Sequence, residues 1–218
     1  MKMKKLIVIE GTMTAVNGIH IGGNNDGTKV GGCDNPVIRN PLTNEPYIPG
    51  SSIKGVMRST MEKYMDKHNN GKPCGCGDAN CIVCKLFGAH MNTRARSGEP
   101  RLMIRDMGID ETFKRDMMDS GIGFNDIIEI KASTMVDRST NTAANGSLRN
   151  VERVAAGTKF KCEFVLKIFE GDNEKELMDA IKKNIETISI LGIGAKTTSG
   201  SGQIKFDINW DKVKVINL

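Results

Sequence analysis

Hydrophobic and polar positions alternate along parts of this chain and recur at helical spacing along others. Lys159–Phe169 is the clearest alternation. Phe160, Cys162, Phe164, Leu166 and Ile168 fall on one side, which predicts a strand with a buried face. Lys5–Val16, KLIVIEGTMTAV, is β-rich and roughly alternating and predicts another. In PGSSIKGVMRSTMEKYMDKH, two hydroxyl residues able to cap a helix precede a stripe of Ile53, Val56, Met57, Thr60, Met61, Tyr64 and Met65. Asn173–Ser189 predicts a second helix with Leu177, Ile181, Ile185 and Ile188 inward. Arg101–Met107 and Ile127–Val136 read as strands, Asp110–Met118 as a short helix, and Gln203–Trp210 as a last strand. Asp137–Val151 is polar, contains Asn145-Gly146, and predicts an exposed hairpin or flexible arm. The order β, α, β…β, α, β fits an α+β, split βαβ, ferredoxin-like core with insertions, and no internal repeat is visible.

The loops carry the chemistry. Asn17–Asn35 is dense in Gly and Asn, and ordered loops of that length are usually functional or mobile. It holds His20 and Asp34, with Arg39 five residues beyond the aspartate. Lone histidines are more often structural than catalytic, and an aspartate in a turn often serves only local hydrogen bonds. Gly192–Gly202, GIGAKTTSGSG, lacks P-loop spacing and follows a helix, which excludes a nucleoside triphosphatase. Its glycines either let backbone N–H groups approach a phosphate chain or make a flexible turn. Lys54 and Arg58 share a face one turn into their helix, where the positive end of the dipole favours an anion; two solvated basic residues would look the same. Arg94, Arg96, Arg101 and Arg105 form a second basic run, and Arg138 and Arg149 flank the polar arm. Basic runs are usually solvated faces, but several on separate loops suggest a polyanion groove.

Composition narrows this. The 218 residues suffice for one sizeable domain or one with an inserted subdomain. A net charge of +5 permits a polyanion partner. One Trp, two Tyr and seven Phe are few for stacking bases, so a nucleic acid would be held by its backbone. No apolar run reaches the length of a membrane span, and the stretch after Met1–Lys5 is too brief for a signal peptide, so a cytoplasmic protein is expected. CGCGDANCIVC supplies Cys74, Cys76, Cys81 and Cys84, which predicts a metal site rather than disulfides. A closed four-cysteine zinc shell leaves no position for a reactive water, so its task is to fold an insertion too small to own a core. His68 or His90 replacing one cysteine, and a cluster of plain thiols, are the alternatives. Cys33 and Cys162 read as packing residues.

GIHIGG, CDNPVIRNP, YIPGSSIKGVMRS, the cysteines running into CKLFG, LMIRD, VERVAAGTKF and GIGAKTTSGSG occur in this order over nearly the whole chain. Together they resemble the backbone RAMP subunit of the type III-A CRISPR effector, the Csm complex. The resemblance implies a modified RNA-recognition-motif core without stacking aromatics, a single RAMP domain over 1–218, a zinc-binding insertion at 68–100, and an insertion at 108–151 bearing a β-hairpin thumb at 137–150. Members of that family stack along a guide RNA (crRNA) with other copies and with other Csm subunits. They cut guide-paired target RNA once beside each thumb, as endoribonucleases needing a divalent cation, Mg2+ or Mn2+. The family's cleavage residue is the aspartate before SPV or NPV, here Asp34. By the same correspondence Ser52, Lys54 and Arg58 would hold guide phosphates, and His20 would lie near RNA. Gly192, Gly194, Lys196 and Ser199 would line the glycine loop, Arg138–Arg149 would be the thumb, and Asp106 is a second carboxylate candidate. RNA carries its own nucleophile, the 2′-hydroxyl, so a protein need mainly hold sugar and phosphate in line while a carboxylate takes the proton or holds an ion. The rival readings are a structural RNA-binding subunit that cuts nothing and a zinc-stabilised DNA-binding protein.

Overall fold

A computed structural model describes residues 2–23, 33–67 and 71–218. Its elements in chain order are β1 (Met3–Ala15), α1 (Gly50–Tyr64), α2 (Ile82–Phe87), β2 (Leu102–Ile104), α3 (Glu111–Asp119), β3 (Ile128–Ser133), β4 (Val136–Asp137), β5 (Thr142–Ala143), β6 (Arg149–Val154), β7 (Lys159–Phe169), α4 (Glu174–Leu191), β8 (Ile204–Ile208) and β9 (Lys214–Asn217). Short 3-10 turns lie at Thr197–Ser199 and Trp210–Lys212.

The main sheet has the order β2-β7-β1-β8, with every neighbouring pair antiparallel. β7 runs along one side of β1 for nearly its whole length. Along the other side, β8 pairs with Gly11–Ala15 and β9 with Lys5–Val8. The alternation in the sequence decides which face is covered. Ile7, Ile9, Met13 and Ala15 of β1 and Phe160, Cys162, Phe164, Leu166 and Ile168 of β7 are all buried. They share one core with Ile53, Met57 and Met61 of α1 and Leu177, Ile181, Ile185 and Ile188 of α4. Phe160 and Phe164 are fully buried, and truncating either to Ala is expected to cost about 3–5 kcal/mol. On the opposite face, the exposed Glu10, Lys159, Lys161, Lys205 and Asp207 are charged and carry no ring.

Helix starts are fixed locally in two cases and remotely in a third. Asp110 accepts from Thr112 N and Phe113 N at the head of α3, and Asn173 accepts from Glu176 N at the head of α4. Helix α1 follows Pro49, which offers no side-chain cap. Asp106, just past β2, supplies it: its Oδ1 accepts from Gly50 N at 2.7 Å. A Cβ on residue 50 would come within 2.4 Å of the Ile104 carbonyl, so this crossing requires glycine.

The structure departs from the sequence expectations in several places. The strand expected over Arg101–Met107 is regular only at Leu102–Ile104, because Met107 and Ile109 leave it for single bridges to Ile48 and Phe160. Helix α2 was not foreseen. Its Ile82, Val83, Leu86 and Phe87 are buried in the common core, so the cysteine segment shares the main core. The last strand stops at Ile208, and β9, too short to show an alternation, completes the edge. The exposed hairpin is present; its tip turns at 138–141, and Asn145-Gly146 makes a second turn below the tip. Asp137 Oδ1 takes the Ser139 N–H at 2.8 Å and Asn141 adopts φ 55°, which closes the turn there. Tyr64 and Met65, expected in the buried stripe, are 37% and 38% exposed at the frayed end of α1. No helix among the described residues is long and apolar enough to cross a membrane.

Candidate functional site

Strands β3 and β6 pair over Ile128–Val154 as a two-stranded ladder apart from the main sheet, and β4 and β5 carry it to the tip. Three loops meet at its root. Ile19 bridges Val154, and His20 Nδ1 lies 2.7 Å from the Glu152 carbonyl. Asn35 bridges Val151, and Glu152 N donates to the Asn35 carbonyl at 3.0 Å. From the glycine loop, Lys196 Nζ donates to Ser133 Oγ at 3.3 Å, while Ala195 N donates to the His20 carbonyl at 3.0 Å. Gly194 has φ +79°, and a Cβ there would sit 2.2 Å from the His20 carbonyl oxygen, so only glycine lets the two loops touch. The glycine loop is therefore a tightly folded wall of the site. Gly192, also left-handed, closes α4, and Ser199 lies in the 3-10 turn with its N–H on the Lys196 carbonyl.

Asp34 stands on this root. It is exposed, and its Oδ2 accepts from the Asn150 N–H of β6 at 3.0 Å. Cys33 beside it donates Sγ–H to the Asn150 carbonyl at 3.0 Å. Both polar groups of one β6 residue thus hold the aspartate's loop. Cys162 is a buried packing residue as expected, but the half-exposed Cys33 is part of this clasp. The loop is tied further by Glu152, whose Oε2 accepts from Val37 N at 3.0 Å and from Arg39 Nη2 at 3.2 Å. Arg39 is therefore an internal ion-pair partner. Arg149 begins β6 beside Asn150 and Arg138 lies in the tip, both exposed. The structure thus brings His20, Asp34, Arg149, Gly194 and Lys196 to one place.

Ser52, Lys54, Arg58 and Asp106 form a separate group at the start of α1. Burial, then the charges of Arg58 and Lys167, pulls the Lys54 ammonium below the usual lysine range. Half-buried beside two other cations, Lys54 is suited to a phosphate. Arg58 faces inward instead: Nε donates to Glu62 at 2.8 Å and Nη2 to the Cys74 carbonyl at 2.7 Å. The Asp106 carboxylate lies on the helix start, as described above.

Next to this group the four cysteines converge. Their sulfurs lie within 4.8 Å of one another, with separations of 3.6 Å (Cys74–Cys76), 3.9 Å (Cys74–Cys81), 3.7 Å (Cys74–Cys84) and 3.7 Å (Cys76–Cys84). A zinc tetrahedron with Zn–S arms of about 2.3 Å has edges of roughly 3.8 Å, so the arrangement fits such an ion. Burial pushes the Cys81 and Cys84 thiols up, so a cation is needed to hold them ionised. His90 contributes its backbone N–H to the Cys74 carbonyl and is absent from the cluster; His68 lies outside the described residues.

Residues 12–205 match the RAMP superfamily. The chain belongs to that superfamily. Among curated RAMP relatives, it is 39% identical to the CRISPR system Cms endoribonuclease Csm3 of Methanocaldococcus jannaschii, over 94% of this chain and 79% of that one. It is 34% identical to the protein of the same name from Methanothermobacter thermautotrophicus, over 94% and 85%. Among solved structures, a Csm3-Csm4 subcomplex of the type III-A CRISPR-Cas interference complex superimposes with TM-score 0.60 at 24% identity, covering 100% of this chain and 90% of that one. A type III-B Cmr-beta complex bound to cognate target RNA gives 0.62 at 19% identity, covering 98% and 61%. These likenesses agree on the RAMP fold. Within it, sequence reasoning overlooked Asn150, Glu152 and Glu62, whose roles arise from partners 4 to 116 residues away. The one available signal was Glu152, inside the quoted VERV motif.

Proposed function

We propose that this chain is a guide-binding backbone subunit of a type III-A CRISPR effector and the endoribonuclease that cuts guide-paired target RNA. The observation that carries the reading is Asp34: an exposed carboxylate held against the root of an exposed hairpin, in a chain 39% identical to a named endoribonuclease. The strand order β2-β7-β1-β8, with α1 and α4 as crossovers, supports a ferredoxin-like, modified RNA-recognition-motif core. The exposed charges on the sheet's open face, with its one ring at Phe169 buried under Arg101 and Lys167, support contact with RNA backbone rather than bases. The β3–β6 ladder is the thumb, and its exposed Ile130, Met135, Val136 and Leu148 are apolar groups able to part stacked bases.

Beside such a hairpin, a displaced nucleotide brings its 2′-hydroxyl in line with the adjacent phosphorus. Asp34 then accepts the 2′-OH proton or orients it as the 2′-oxygen bonds to phosphorus and the P–O5′ bond breaks, the 5′-oxygen taking a proton from water, while Lys54 and the glycine loop hold phosphates. Mg2+ or Mn2+ needs only one or two protein carboxylates plus phosphate oxygens, and Asp34 supplies one; bound there, the ion would offset the charge that develops on phosphate. The cysteine cluster holds structural Zn2+; elemental analysis is expected to find about one per chain, and chelation is expected to expose the segment 71–85 to protease first. The partners are crRNA, target RNA, further copies of the chain and other Csm subunits, in the cytoplasm.

The test is the assembled particle, challenged with RNA matching its own co-purified guide. Cuts at regular spacing that vanish with Asp34→Ala, while guide retention stays, support the reading. Particles without RNA, or undiminished cutting by the variant, overturn it.

A further inference from the structure

Glu62 is a carboxylate buried to 5% exposure on α1, and nothing in the RNA-binding role of that helix calls for it. A buried charge is retained only where donors surround it. Its Oε1 accepts from Arg58 Nε and from Cys74 N, each at 2.8 Å. Arg58 Nη2 then donates to the Cys74 carbonyl at 2.7 Å. One ion pair therefore grips the backbone on both sides of Cys74, which is 4% exposed and whose sulfur lies beside those of the other three cysteines.

We propose that the Glu62–Arg58 pair holds Cys74 in place for the metal, so that retention of the ion depends on helix α1. The inference rests on the zinc reading of the cluster. Groups hydrogen-bonded behind a metal ligand fix its orientation, and losing one typically weakens metal binding about 10–100-fold. The geometry also separates two residues that sequence spacing had paired. Arg58 is a positioning residue for the metal segment. Lys54, whose charged neighbours are Arg58 and Lys167, remains the phosphate contact.

The experiment titrates the zinc-loaded full chain with a chromophoric chelator of known affinity. Glu62→Gln keeps the shape but removes the charge, leaving the Arg58 guanidinium uncompensated; zinc affinity is expected to fall about tenfold or more. Arg58→Lys, which cannot span Glu62 and the Cys74 carbonyl together, is expected to fall in the same direction and decides the matter if Glu62→Gln does not fold. Lys54→Ala should leave zinc affinity unchanged and weaken RNA binding, the reverse of Arg58→Lys. A core truncation, Ile181→Val, controls for general destabilisation and should leave zinc affinity at the parent value. A parent chain that binds no zinc removes the metal reading itself. A parent that binds it, with Glu62→Gln and Arg58→Lys holding it as tightly, overturns the inference alone.

Discussion

The root of the hairpin and the start of α1 both gather charged side chains, and in each an exposed carboxylate takes one backbone N–H, Asp34 that of a hairpin strand and Asp106 that of a helix start. At the root, the exposed Asp34 is held by a backbone N–H of β6, and its loop is tied by Glu152 and Arg39 behind it. At the start of α1, Asp106 lies on the helix's first N–H and Arg58 is enclosed by Glu62 and Cys74. An acid presented outward on a braced loop can meet a substrate. Arg58, whose guanidinium meets the internal acceptors Glu62 and the Cys74 carbonyl, secures the fold, whereas the charged neighbours of Lys54 are cations.

Three changes test that comparison. Asp34→Ala is expected to slow target cleavage by at least about 10²-fold, in the range of a lost proton-transfer group, measured in single turnover on the assembled particle. It also removes the acceptor of the Asn150 N–H, so a stability loss of about 1 kcal/mol, one hydrogen bond, is expected alongside. Asp106→Ala should differ in the cleavage readout, costing about 1–2 kcal/mol through the lost cap and dipole partner of α1 while cleavage by folded particles persists. A collapse of cleavage with unchanged stability would make Asp106 a catalytic carboxylate and break the comparison. Lys54→Ala should weaken RNA binding several-fold and lower the salt slope by roughly 0.7–0.9, one phosphate contact. An unchanged slope would remove Lys54 from the interface.

The smallest effect concerns α3, outside both regions. The Thr112 hydroxyl, with the Phe113 and Thr112 N–H groups, holds the Asp110 carboxyl below the usual carboxylate range. Its folded value is lowered, so the cap stabilises the fold above the unfolded carboxylate value of about 3.9 and its contribution fades as pH falls through the folded value. Asp110→Ala should therefore cost about 1 kcal/mol at neutral pH and almost nothing in strong acid, read from thermal melts across pH.

The hydrophobic pattern laid out β1, α1, β7 and α4 to within a few residues, because each is long and buries one face. The four cysteines were legible because chemistry and spacing coincide. Short elements escaped: α2 is bounded by metal-segment residues, and β9 has too few residues to show a period. At the site, the roles expected of Asp34 and His20 came from family resemblance and not from spacing; the structure places both at the hairpin root, and Arg39, five residues beyond the aspartate, pairs inward with Glu152.

The sequence by itself determined which residues could be buried, which could bind a metal and which could carry a proton, since these follow from side-chain chemistry and local period. Only the tertiary structure decided which charges face outward. Asn150 and Glu152 reach Asp34's loop across more than a hundred residues of chain, and Cys74 recruits Arg58 from a neighbouring helix. Hydrogen bonds act over about 3 Å in space, whatever the separation along the chain, so two like-charged residues one turn apart can end in different roles.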